Sequence, residues 1–63
     1  MRFLSPKRVC DKADFSRSTL DRKVAAGEFP QPVRISDRRL AFIESEVDGW
    51  MAAQVAAARS GAA

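Results

Sequence analysis

The chain contains no histidine and a single cysteine, and these two scarcities remove several classes of chemistry. Structural zinc needs four cysteine or histidine ligands, and the commonest general bases and nucleophile pairs need histidine. The 63-residue sequence offers only Cys10, which cannot form a disulfide within the chain. We therefore predict no catalytic residues, no metal site and no cofactor, so the protein is not expected to be an enzyme. Cys10 is interpreted as a small core residue.

Long hydrophobic runs are also missing. No apolar stretch approaches the roughly 18 residues of a membrane span, and the first residues lack the apolar core of a signal peptide. Hydrophobic residues make up 46% of the chain and charged residues 30%, which is too apolar for a disordered protein. These features predict one small cytoplasmic binding domain over residues 1–63, with no membrane partner and no small-molecule substrate.

Charge is distributed unevenly along the chain. Eleven Lys and Arg face eight Asp and Glu, for a net charge of +3. Residues 1–43 hold ten of the cations and five acids, a net of +5, whereas residues 44–63 hold one cation and three acids, a net of −2. The imbalance predicts a basic face near the front of the chain and a C-terminal element turned away from it. A polyanionic partner fits such a layout, and a solvated surface with incidental charge is the alternative.

Two short helices are predicted in the first half of the chain. Ser5 caps free amides and Pro6 at the first helical position loses no needed hydrogen bond, so a helix of about eight residues is expected to begin there. After a turn, Ser16 caps a second helix over residues 16–26, which ends before Gly27, a residue suited to the left-handed conformation. Two helices joined by about three residues are typical of a helix-turn-helix.

A basic β-hairpin is predicted over residues 33–42. Two prolines just before it exclude a helix, and residues 33–35 alternate apolar, basic, apolar, as a half-buried strand does. The turn at residues 36–39 leads into a returning strand. The hairpin therefore carries three cations at and near its tip, as a DNA-binding wing does: Arg34, Arg38 and Arg39.

A third helix is predicted from Glu44 to about Arg59, followed by a frayed tail over residues 60–63. Three acids suit the dipole of its first turns: Glu44, Glu46 and Asp48. One buried stripe follows the helical 3, 4 spacing: Val47, Trp50, Met51, Gln54, Val55 and Ala58. We expect this stripe to pack against Leu20, Val24 and the inner side of the hairpin, and the four phenylalanines to join Trp50 in the core.

Three sequence blocks in this order resemble the AlpA-type phage regulators, which are similar to bacteriophage excisionases and share a MerR-like winged-helix fold. The blocks are Phe15-Ser16-Arg17-Ser18-Thr19-Leu20, then residues 27–35, then residues 45–51, and with Ser5-Pro6-Lys7 they span about residues 3–58. The resemblance implies a mainly α-helical winged helix-turn-helix domain with three helices and a two-stranded wing, which binds double-stranded DNA. Asp21 and Lys23 depart from the family's common aromatic and apolar residues, so the base preference is not transferable.

The second helix is expected to enter the major groove, with the hairpin beside it. An arginine there can donate twice to guanine O6 and N7, and Asp21 could accept from a cytosine amino group. Serine and threonine at the helix start, with the free amides, would hold a phosphate. The predicted DNA-binding residues are Lys7, Ser16, Arg17, Ser18, Thr19, Arg22, Lys23, Arg34, Arg38 and Arg39.

Two alternative functions fall within this class of DNA-binding protein. One is transcriptional regulation of a prophage or mobile element, with RNA polymerase as a possible partner. The other is that of an excisionase-like factor that binds repeated sites, together with further copies of itself, and bends DNA for an integrase. A rival of another class is a protein-interaction module, antitoxin-like or adaptor-like. An exposed stripe along Val47, Met51, Val55 and Ala58 would favour that rival, and its burial would count against it.

Overall fold

A computed structural model describes residues 1–61, in which three helices and a small antiparallel sheet surround one apolar core. The elements follow in the order β1 (Phe3–Leu4), α1 (Pro6–Ala13), α2 (Arg17–Ala25), β2 (Val33–Ser36), β3 (Arg39–Ile43) and α3 (Glu44–Gly61). The predicted mainly helical winged helix-turn-helix architecture is confirmed. No helix in the described part combines the length and the apolar run that a bilayer crossing requires.

The caps of the first two helices lie where the sequence predicts them. The Ser5 hydroxyl accepts from the Arg8 amide at 3.2 Å, and Pro6 opens α1. Three residues separate α1 from α2, and Gly27 follows α2 with a φ of 73°. That left-handed conformation lets the Glu28 amide return to the Lys23 carbonyl at 2.9 Å, which closes the helix. The last helical residue is Ala25, one position before the predicted end.

The sheet has one strand more than the predicted two-stranded wing. β3 lies in the centre, antiparallel to β2 on one side and to β1 on the other. The two residues of β1 are too few to show a period, so the sequence carries no signal for them. Their alternation sends Leu4 into the core and leaves Phe3 48% exposed, so the prediction that all four phenylalanines lie in the core is wrong for Phe3.

An irregularity in the hairpin changes which side chains are buried. The pairing of β2 with β3 shifts register between Arg34 and Ser36, and the turn is only Asp37 and Arg38. Ile35 lies within this bulge and is 39% exposed, so its predicted half-buried position is wrong. A bulge breaks the two-residue alternation from which that burial was inferred.

Aromatic side chains fill the centre of the core. Phe29 lies 4.7 Å from Trp50, 5.7 Å from Phe42 and 5.9 Å from Phe15, measured between ring centroids, mostly in edge-to-face arrangements. Trp50 also donates through Nε1 to the Glu28 carbonyl at 2.8 Å. The fully buried aliphatic side chains around this cluster are Val9, Leu20 and Val47, and Cys10 packs against it partly buried.

The buried stripe of α3 is shorter than the sequence predicts. Val47 is fully buried and Trp50 and Met51 are half-buried, but every residue from 52 to 60 is exposed. The prediction is therefore wrong for Gln54, Val55 and Ala58. An 18-residue helix is about 27 Å long, and the rest of this small protein covers only its first turns.

The length of α3 also determines the outline of the molecule. The radius of gyration is 12.4 Å, against about 10.6 Å for a compact chain of this length. The helix continues through Ser60 to Gly61, two residues into the predicted frayed tail, while residues 62 and 63 lie outside those described.

Candidate nucleic-acid interface

The outward face of α2 presents three of the predicted base-reading residues. Leu20 is buried and Val24 half-buried on the inner side, whereas Arg17, Ser18 and Arg22 are exposed. Within residues 1–61, the one hydrogen bond of the Arg22 guanidinium is to the Thr19 hydroxyl, at 3.5 Å. Its side chain is therefore available to a ligand that approaches this face.

The start of α2 is occupied by its own cap. The Ser16 hydroxyl accepts from the Thr19 amide at 3.2 Å and hydrogen-bonds the Thr19 hydroxyl at 3.0 Å. The Thr19 amide is thus already satisfied, and the first amides of the helix, those of Arg17 and Ser18, have no intrahelical acceptor. A phosphate at this position would meet those two amides, with the hydroxyls of Ser16 and Thr19 beside them.

Arg17 and Asp21 form an ion pair on the surface of α2. Their Nε and Oδ1 atoms lie 3.0 Å apart at the i, i+4 spacing that one helix face allows. Both side chains are more than 60% exposed, so the pair is open to exchange with another acceptor. Arg17 therefore lies along the helix surface, and its positive charge compensates the negative charge of Asp21 on the exposed side of α2.

The hairpin tip and the starts of α1 and α2 surround one open cleft. It is lined by Ser5, Pro6, Arg17, Arg38, Arg39 and Leu40. A second, more apolar groove runs between α2 and the hairpin, from Arg17 to Pro32 and Phe42. The fold therefore joins three predicted cations, although 21 positions separate Arg17 from Arg38 in the sequence. We call the exposed side of α2, this cleft and the hairpin tip the basic face.

Seven of the ten predicted residues do not line this cleft: Ser16, Ser18, Thr19 and Arg22 lie at the start and on the outer side of α2, and three cations lie elsewhere. Lys23 is half-buried and its Nζ lies 5.8 Å from the centroid of the Trp50 ring, so it faces α3. Lys7 and Arg34 are exposed, on the first turn of α1 and in β2 respectively. Ser5, Pro6 and Leu40 also line the cleft but were not predicted as site residues. A helix cap, a proline in the first turn and an apolar strand residue carry no signal in the sequence for such a position.

Other cations of the chain serve its structure. The Lys12 ammonium lies 2.9 Å from Asp48 Oδ1 and 3.3 Å from Glu44 Oε2, and Arg2 Nε reaches Glu44 Oε1 at 4.0 Å. The hydrogen bond to Asp48, with a smaller contribution from Glu44, raises the pKa of Lys12 above its ordinary value. These contacts tie α1 to the start of α3 and remove two cations from those available to a ligand. We call this region the α1–α3 junction.

Comparisons with known proteins point to a regulatory phage family. The family described as "Prophage CP4-57 regulatory protein (AlpA)" matches residues 2–55. A protein of Enterobacteria phage P4, named "Uncharacterized protein ORF88", is 37% identical over 60 residues, which cover 95% of this chain and 68% of the relative. No solved structure matches the chain.

Proposed function

The chain belongs to the AlpA family of prophage regulatory proteins, and from this premise we propose that it binds double-stranded DNA sequence-specifically and regulates transcription of a phage or other mobile element. α2 enters the major groove, and the hairpin at residues 33–42 lies beside it on the backbone or the minor groove. The observation that carries this proposal is the cleft that joins Arg17 of α2 to Arg38 and Arg39 of the hairpin. The family is a regulatory one and not a family of enzymes.

The charges of the basic face support a polyanionic partner. Within residues 1–61, Arg22, Arg38 and Arg39 of the basic face form no ion pair, and neither does Arg34 in β2; all four side chains are exposed. Such cations release counterions from DNA when they meet its phosphates, which favours binding. The acid nearest the α2 surface, Asp21, is already compensated by Arg17.

We assign different roles to the helix and the hairpin. Ser18 and Arg22 read base edges in the major groove, where the donor and acceptor pattern distinguishes all four base pairs. Arg17 joins them once its guanidinium leaves Asp21 and binds a base. The free amides at the start of α2, flanked by Ser16 and Thr19, hold a phosphate. The remaining cations contact phosphates and position the protein without reading sequence: Lys7, Arg34, Arg38 and Arg39, and Lys23 after its ammonium leaves the Trp50 ring. The site of action is the bacterial cytoplasm, on nucleoid DNA.

Footprinting on the DNA around the protein's own gene tests this proposal. We expect a protected site for the wild type, lost at equal protein concentration when Arg38→Ala and Arg39→Ala are combined. The matched control combines Arg2→Ala with Lys12→Gln, which also removes two positive charges, but from the α1–α3 junction. Equal loss of protection in both double variants would contradict the assignment of the basic face.

The position of the footprint distinguishes the two alternative functions. Protection at a promoter supports the regulator, with RNA polymerase as the partner. Protection of repeated sites at an attachment region would support instead an excisionase-like factor that bends DNA for an integrase. Both functions use the same contacts to DNA, so the variants above test those contacts in either case.

A further inference from the structure

The outer part of α3 extends beyond the residues that form the core. All residues from 52 to 60 are exposed, and Val55 retains 48% of its accessible surface. This stretch holds one charge, Arg59, which forms no ion pair within residues 1–61. Its alanines favour the helix intrinsically, so the segment stays regular without a covering element. It is a long, exposed helix face with an apolar centre.

Four residues on this face have a heptad-like spacing. Asp48, Ala52, Val55 and Arg59 follow each other at intervals of 4, 3 and 4. At 100° per residue they fall within about 60° of one another around the helix axis, as the residues of a coiled-coil seam do. An acid begins the seam, a small and a larger apolar residue form its middle, and a base ends it.

We propose that this seam pairs with the same seam of a second copy in antiparallel orientation. A two-fold axis between residues 53 and 54 places Asp48 opposite Arg59 of the other copy, and Ala52 opposite its Val55. Both ends then form an opposite-charge pair, and the small alanine makes room for the valine, which allows close approach of the helices. A parallel arrangement would instead place Asp48 against Asp48 and Arg59 against Arg59, so the charges select the antiparallel one.

The contacts within one copy leave Asp48 able to form this pair. Lys12 contacts its Oδ1 atom, yet the Asp48 side chain remains 53% exposed. Lys12, Glu44 and Asp48 together carry one net negative charge, and Arg2 reaches Glu44 only at 4.0 Å. The start of the seam therefore still attracts the arginine of a second copy.

The pairing is weak in free solution because its residues are small. One pair of short helical seams buries far less than the roughly 1,200 Å² of a stable interface. The pairing does not depend on the proposed function and goes beyond it. If the proposed function holds, two copies bound at neighbouring DNA sites pair more readily, because each is held at a high effective concentration near the other.

Exchange of charges between two variants tests the proposal without DNA. Asp48→Arg gives a chain with arginine at both ends of the seam, and Arg59→Asp gives one with aspartate at both ends. Each variant repels itself, whereas an equimolar mixture restores both opposite-charge pairs. We expect sedimentation equilibrium up to about 1 mM to show wild-type association, an association constant about five- to tenfold lower for each variant alone, and recovery in the mixture.

Two controls separate pairing from altered folding or net charge. Glu46→Arg changes the charge by the same amount as Asp48→Arg but lies about 160° away around the helix, so wild-type association is expected. Arg59→Asp changes an exposed residue, and its circular dichroism should match the wild type. Wild-type protein that stays monomeric over the whole range would overturn the proposal, as would a mixture that associates no better than either variant or a wild-type association unchanged in both variants. Because no DNA is present, failure here leaves the proposed function untouched.

Discussion

Two charge-rich regions of the molecule, the α1–α3 junction and the basic face, use the same residue types in opposite ways. In the junction, Lys12 lies within 3.3 Å of both Asp48 and Glu44. On the basic face, Arg38 and Arg39 are exposed and form no ion pair within the described residues. The cations of the junction hold two helices together, whereas those of the basic face remain available to an external anion.

The difference shows that net charge alone does not identify a binding surface. Lys7 and Lys12 belong to the same short helix, yet Lys7 is exposed near its start and Lys12 is held by α3. What distinguishes them is the position of acids that lie more than thirty residues later in the chain. The +5 net charge of residues 1–43 therefore overstates the charge offered to DNA.

The salt dependence of DNA binding is the strongest test of whether the basic face, and not the α1–α3 junction, supplies the cations that contact DNA. Some 4–7 cations near phosphates should give log K against log salt a slope of about −4 to −6, a loss of roughly 250- to 4,000-fold between 50 and 200 mM salt. Combining Arg38→Ala with Arg39→Ala should make the slope shallower by about 2, and Arg2→Ala with Lys12→Gln should leave it unchanged. Titrations by fluorescence anisotropy at several salt concentrations measure both. A wild-type slope shallower than about −2 would mean that the basic face does not bind DNA.

The buried first turns of α3 should be sensitive to truncation of a core side chain, whereas its exposed outer part should not. Trp50→Ala removes the contact with Phe29 and the hydrogen bond to Glu28, and should cost about 3 kcal/mol of unfolding free energy. Val55→Ala lies beyond the covered part of α3 and should stay within about 0.5 kcal/mol of the wild type. Urea denaturation of dilute protein gives both values. Similar losses in the two variants would show that the outer part of α3 is packed within the monomer.

Arg22 and Arg38, both on the basic face, should make different kinds of contribution to DNA binding. Arg22→Ala should cost about 1–3 kcal/mol on the preferred site and relax the preference at one base pair. Arg38→Ala should weaken binding to preferred and unrelated duplexes by the same, smaller factor, because a phosphate contact carries no sequence information. Competition binding with single-base-pair substitutions separates the two effects. An Arg22→Ala variant with intact affinity and preference would mean that another face of α2 reads the bases.

The smallest expected effect concerns Lys12 and its pH dependence. Lys12→Gln should lower the thermal midpoint slightly and leave DNA affinity unchanged, since exposed ion pairs contribute little. The pKa of Lys12 is raised in the folded state, so its contribution is fully present below the unfolded value of about 10.4 and is lost as the pH rises through the folded pKa. Melting curves of both proteins at pH 8 and at a pH above the folded pKa of Lys12 should therefore converge at the higher pH. A gap that widens there would contradict the assigned ion pairs.

Elements with local signals could be predicted from the amino-acid sequence. Ser5, Pro6 and Ser16 begin two helices, Gly27 ends the second, and the alternation and turn residues after Pro32 locate the hairpin. A cap, a proline ring and a positive φ act within three or four residues, so they can be recognised from neighbours in the chain. The exposed face of α2 followed from helical periodicity for the same reason.

Features that depend on residues far apart in the chain became visible in the folded protein alone. β1 exists because it pairs with the end of β3, the burial of α3 stops after Met51 because nothing else in the described chain reaches farther, and Lys12 is structural because Asp48 and Glu44 lie beside it. Periodicity shows which side of a helix can be buried, but burial also requires a neighbour of sufficient size. In a chain this short the core covers only part of its longest helix, and that limit is set by packing in three dimensions.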